Sequence, residues 1–218
     1  MKIAVIGATG LVGSATVKEL AQRGHEVIAI ARNTEKIEAG QNVVSVQMDV
    51  HHSDFYKHLE GTDAVVSAFN AGWTNPNLAE DFTKGYESIL QAAKTAKVPY
   101  LLVIGGAGSL YIAPNLQVVD TPEFPKEIYP GANAARNLLN DLKPRRDVNW
   151  AFLSPAAMFA VNPVSFERTG NYRLGKDDVL LNADGVPADI SVSDLACAIA
   201  DDVEQKKHLF ERFTVAEA

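Results

Sequence analysis

Short apolar runs alternate with amphipathic stretches over the first 155 residues. "KIAVI" at residues 2–6 is followed by "LVGSATVKELAQRG", where Leu11, Ala15, Val17, Leu20 and Ala21 return at helical spacing until Gly24 ends the pattern. The same alternation predicts strands in "EVIAIAR", "VVSVQMD", "DAVVSAF", "YLLVIGG" and "NWAFLSP". It predicts longer helices over 78–96 and 131–142, and short ones at 34–39 and 54–61. Residues 105–130 read as a loop rich in Gly and Pro. Beyond Pro155 the pattern shortens. "NYRLGKDDVLLNADGVPADISV" predicts short strands and turns, "SDLACAIADDVE" a helix capped by Ser193, and "RFTVA" a last strand at a sheet edge.

Strands that alternate with helices build right-handed βαβ units and a parallel sheet. Strands that are apolar nearly throughout are covered on both faces. The expected fold is therefore α/β: a doubly wound, Rossmann-like parallel sheet in a single domain spanning 1–218. Residues 156–192 are expected to form a small C-terminal lobe on the substrate side of that domain.

Composition narrows the function classes. A net charge of −7 disfavours a nucleic-acid partner, because such affinity rests on clustered Lys and Arg. A single cysteine, Cys197, excludes a disulfide framework within the chain and fits a reducing compartment. The apolar run at the start is too short for a signal peptide, and no stretch approaches the roughly 20 apolar residues of a membrane span. A cytoplasmic location with no membrane partner is the expectation. The adjacent His51 and His52 lack the spacing of a metal site, so no metal is expected. Cys197 lies in an apolar helical stretch and reads as a buried thiol.

The chemistry concentrates in "VIGATGLVG", residues 5–13. Gly7 permits a sharp turn out of the first strand, Gly10 lets backbone amides approach a pyrophosphate, and Gly13 lets the helix pack close to the sheet. The helix start at Leu11 and Val12 then faces the phosphates, and Thr9 adds a hydroxyl. The motif follows a strand and opens a helix, the context that dinucleotide binding demands. The second strand ends in "IAIARN" without the acid that would meet a ribose 2′-hydroxyl. Arg32 stands there instead, and a guanidinium suits a 2′-phosphate. NADP is therefore favoured, with NAD the other option.

The spacing "GATGLVG" resembles the short-chain dehydrogenase/reductase superfamily in its extended and atypical branches. Asp49, with Val50 after it, matches the acid that meets the adenine amino group there; a turn cap is the other reading of Asp49. Ala68, Phe69 and Asn70 fall where the superfamily's backbone passes the cofactor riboses. The usual Tyr-x-x-x-Lys pair is missing: Asn133 stands four residues after Tyr129, and Tyr172 with Lys176 falls in the wrong region.

The succession "VIGGAGSL", "VDTPEFP", "NWAFLSPAAMF", "RTGNYRLG", "ISVSDLACAIADDVE" and "RFTVA" resembles the NADH-flavin reductase group of bacteria, relatives of biliverdin reductase B and of NmrA-like proteins. The resemblance covers essentially the whole chain. It implies a nicotinamide cofactor and a flavin, as substrate or cofactor, or another planar quinone-like acceptor. By position, Gly105, Gly106 and Ser109 would border the nicotinamide, with Ser109 the candidate catalytic residue. Pro155 and Ala156 would pass close to the carboxamide. Phe69, Trp73, Tyr111 and Phe159 would wall the acceptor pocket. A non-catalytic, NmrA-like redox sensor that binds NAD(P) is the rival reading. A sugar-nucleotide epimerase or dehydratase would need the missing Tyr–Lys pair.

Overall fold

The computed structural model describes residues 1–218. Strand β1 (Lys2–Ile6) leads through helix α1 (Leu11–Gln22) to β2 (Glu26–Ala31) and β3 (Val43–Gln47), and a single 3-10 turn at Phe55–His58 precedes β4 (Ala64–Ser67) and helix α2 (Leu78–Thr95). Strand β5 (Leu101–Ile104) leads into a small hairpin, β6 (Tyr111–Ala113) and β7 (Leu116–Gln117), and then helix α3 (Tyr129–Leu142). Strands β8 (Trp150–Ser154) and β9 (Tyr172–Gly175), helix α4 (Val192–Gln205) and strand β10 (Arg212–Glu217) complete the chain. The main sheet runs β3-β2-β1-β4-β5-β8-β10-β9, parallel except for β9, which pairs antiparallel with β10.

The strand order reverses at β1. The chain moves outward from β1 to β2 and β3, then returns to place β4 on the other side of β1. Alternate residues of β1 feed two cores. Ile3 and Val5 pack with Val17 and Leu20 of α1 and Leu195 and Ile199 of α4. Ala4 and Ile6 pack with Phe82 and Ile89 of α2 and Leu138 and Leu139 of α3. Both faces of the central strands are covered, which is why β1, β4, β5 and β8 are apolar at nearly every position.

Four expectations change in the fold. Residues 34–39 form turns and bends, not a helix; Asn33 Oδ1 accepts from the Glu35 amide and closes a local turn instead. Helix α4 is capped by Ser191, whose hydroxyl accepts from the Asp194 amide at 3.0 Å, while Ser193 donates to the Phe166 carbonyl. Helix α3 begins at Tyr129, with Pro130 in its first turn, two residues ahead of the expected start. Strand β10 is interior, not an edge: β8 and β9 flank it, and five of its six residues are buried. Strand β9, which does form an edge, lies in the 156–192 segment and so joins that segment to the main sheet.

Candidate nucleotide-binding site

The residues singled out in the sequence follow the C-terminal ends of parallel strands. Gly7 to Gly13 follow β1, Arg32 follows β2, and Asp49 and Val50 lie just past β3. Ala68 to Asn70 follow β4, Gly105 to Ser109 follow β5, and Pro155 follows β8. They share one edge of the sheet, centred on the reversal between β1 and β4. Ligands of doubly wound folds bind in the crevice at such a point, because the loops on either side part there.

The glycine loop is built by close approach. Gly7 sits at φ +77°, and a Cβ there would lie 2.5 Å from the Ala68 carbonyl oxygen. A Cβ on Gly13 would lie 2.1 Å from the Gly7 carbonyl oxygen, so the helix rests against the turn itself. Gly10 differs. Its Cβ position lies 3.4 Å from the Gly7 carbonyl oxygen and otherwise meets open space. The amides of Gly7 and Ala8 donate to the Ile30 carbonyl, and that of Gly10 to Gly7. The amides of Thr9, Leu11, Val12 and Gly13 find no acceptor in the chain. No side chain caps α1, and its first turn holds no acidic residue. The result is a row of free donors at the positive end of a helix dipole, with open space beside Gly10. A diphosphate fits that donor set and that space.

Arg32 is exposed directly after β2 and forms no ion pair or hydrogen bond within the chain. Its guanidinium is free for a ligand. Asp49 caps its own turn: Oδ1 accepts from the His51 amide at 2.9 Å, and the carbonyl accepts from His52. Val50 beside it is buried. Past β4, the Ala68 amide donates to Ile6, and Asn70 Oδ1 accepts from Gly72.

The four aromatic residues do not form one wall. The Phe69 ring turns under α2, edge-on to Tyr86, into the space that Gly85 leaves by lacking a side chain. Phe159 packs on the opposite face, against the α1 and α4 core. Tyr111 lines a shallow groove of about 460 Å³ with Ile112, Pro114, Asp178, Val179 and Leu181. Only Trp73 is largely exposed, its ring over Gly131 near the start of α3.

Ser109 is buried. Its Oγ accepts from Arg212 Nη1 at 3.2 Å, and its carbonyl from Gln117 Nε2 at 3.0 Å. Arg212 also reaches Ser154, next to Pro155, at 3.3 Å. No sequence signal pointed to Arg212: it opens a run that read as an edge strand. Neither Tyr-x-x-x-Lys candidate forms a proton-delivery pair. Tyr129 is followed at the matching place by Asn133, which accepts from Arg136, and the Tyr172 hydroxyl donates to Asp201 on α4. Tyr86, the tyrosine nearest the end of β4, bonds to Ser67 Oγ at 3.2 Å, and burial pushes its hydroxyl above the usual tyrosine range. His51 contacts Ser88, and His52 accepts from the Asp54 amide. Cys197 is buried in α4, and burial raises its thiol. No helix is long and apolar enough to cross a membrane.

A parallel sheet with a reversal point, an uncapped glycine-rich helix start and a free arginine after the second strand define a dinucleotide-binding protein. The family described as NAD(P)H-binding matches residues 7–206, and the chain belongs to it. Along 99% of its length it is 43% identical to the uncharacterised protein YwnB of Bacillus subtilis strain 168, covering 98% of that protein. A solved structure from Bacteroides thetaiotaomicron, provisionally named an epimerase, shares 41% identity at a TM-score of 0.89, over 99% of this chain and 96% of that one. Another, from Streptococcus pneumoniae TIGR4 and provisionally named an NADH-flavin reductase, shares 37% identity at a TM-score of 0.87, over 100% of both chains.

Proposed function

We propose that this protein is an NAD(P)H-dependent reductase that passes hydride to a flavin or another planar, quinone-like acceptor, with NADPH the preferred donor. One observation carries the reading: a full set of dinucleotide-binding features stands beside no Tyr–Lys pair. Reduction of a ketone or aldehyde needs a proton delivered to the nascent alkoxide. Bound reduced nicotinamide supplies hydride, and a flavin-type acceptor takes it at a ring nitrogen and spreads the charge over its own rings. The chain then has to bind, align and exclude water. Thr9, Leu11, Val12 and Gly13 would hold the diphosphate through their free amides. Arg32 would pair with a ribose 2′-phosphate. Gly105, Gly106 and Pro155 would bring bare backbone against the nicotinamide, and Ser109 would sit beneath it. The name of the Streptococcus relative agrees with this acceptor class.

Steady-state oxidation of NADPH and NADH, followed at 340 nm with riboflavin, FMN, FAD and a soluble quinone, tests the reading. Turnover with at least one acceptor, faster with NADPH, is expected. Binding of NADPH without turnover on any acceptor would overturn the enzyme assignment.

A further inference from the structure

We propose that Arg212, a buried residue of β10, is a positioning residue that fixes the nicotinamide half of the dinucleotide site. The inference rests on the reading that the nicotinamide lies over the ends of β5 and β8. Its side chain is only 3% exposed, so the charge serves no surface purpose. Its guanidinium fork holds three segments that are far apart in sequence. Nε and Nη2 donate to Asp177 Oδ1 at 2.9 and 2.7 Å, in the 156–192 segment. Nη1 donates to Ser109 Oγ at 3.2 Å, in the loop after β5, and to Ser154 Oγ at 3.3 Å, at the end of β8. Nη2 adds the Ser109 and Asp177 carbonyls at 3.4 and 3.2 Å.

Two of those three segments carry the backbone assigned to the nicotinamide: Gly105 and Gly106 precede Ser109, and Pro155 follows Ser154. One planar cation therefore sets the spacing between the two loops. A buried charged group is costly to desolvate, and apolar residues of similar volume often replace such a group without loss of stability. Its presence here, tied to two loop ends, fits a demand for geometry more than for stability. Lysine cannot substitute, because an ammonium is a point donor without the fork. Because Ser109 Oγ accepts from Arg212, the serine proton is directed away from the guanidinium and is available to another acceptor. The adenosine half of the site lies across β2 and β3, outside these contacts.

The test uses two ligands that differ only in the nicotinamide: NADPH and 2′-phospho-ADP-ribose. Titration calorimetry is run on the full chain and on Arg212→Lys, Arg212→Met and Asp177→Asn. The expected result is a loss of at least tenfold in NADPH affinity for both Arg212 variants, a smaller loss for Asp177→Asn, and less than twofold change for 2′-phospho-ADP-ribose. Thr214→Val, a buried neighbour in the same strand, should leave both affinities unchanged. A general loosening of the fold would weaken both ligands together, and that result overturns the proposal, as would Arg212→Lys binding NADPH like the parent. Arg212→Lys and Asp177→Asn keep the test decisive if the methionine variant does not fold. A parent protein that binds NADPH yet turns over no acceptor sinks the reductase reading and leaves this comparison intact.

Discussion

At Gly10 and Gly13 the missing side chains serve different ends, and substitution should separate them. A Cβ on Gly13 collides with the Gly7 carbonyl at 2.1 Å, so Gly13→Ala must push α1 off the turn. The expected cost is about 2–3 kcal/mol or more in denaturant unfolding. A Cβ on Gly10 fits the free protein, so Gly10→Ala should leave stability within about 0.5 kcal/mol while cutting NADPH affinity at least tenfold, because the methyl would fill the place proposed for the diphosphate. Arg32→Glu should lower NADPH affinity by roughly 10- to 100-fold and spare NADH, measured as the ratio of the two dissociation constants. Thr214 offers a contrast. Its hydroxyl is buried without a partner, so Thr214→Val should raise stability by about 0.5–1 kcal/mol. The glycines were readable one by one because each answers to its local turn. The direction of the Phe69 ring was not, since it depends on a space that Gly85, 16 residues away, leaves open.

Between elements, α1 and α4 are joined by charge as well as by packing. Glu19 of α1 is 4% exposed and receives a two-pronged Arg168 at 2.8 and 2.9 Å, with Arg23 at 2.8 Å. Arg23 continues to Asp201 and Glu204 of α4 at 2.6 and 3.2 Å. The Arg168 guanidinium draws the Glu19 carboxyl down to about 2, against burial that pushes it up, and Arg23 adds to the pull. A carboxyl held below its unfolded value stabilises the fold above that value and loses the contribution as pH falls. The loss should run from about pH 5 down to pH 2. Its size is about 1–2 kcal/mol once solvent around the half-exposed Arg168 is counted. Urea midpoints measured at pH 7, 4 and 3 should fall, and Glu19→Gln should remove that part of the slope. Glu19 is buried with Val17 and Leu20 on α1, yet its partner Arg168 is 149 residues away. No local spacing could reveal the pair.

Across the molecule, strand order decides which segments are indispensable. Strand β10 lies between β8 and β9 and carries Phe213 and Val215 into the α1 and α4 core. Truncation before Arg212 should therefore unfold the protein cooperatively, seen as loss of its thermal transition, where removal of an edge strand would only fray it. By itself the sequence determined the alternation of strands and helices, the covered sheet, the glycine turn and the arginine after β2. These depend on periodicity and on backbone conformations that neighbouring residues dictate. Only the tertiary structure decided that β10 is interior, that the four aromatics part company, and that Arg212 lies beneath the loops after β5 and β8. Each of these is a pairing between distant segments. Its energy comes from contacts that exist only after the chain has closed on itself, so no local pattern encodes it.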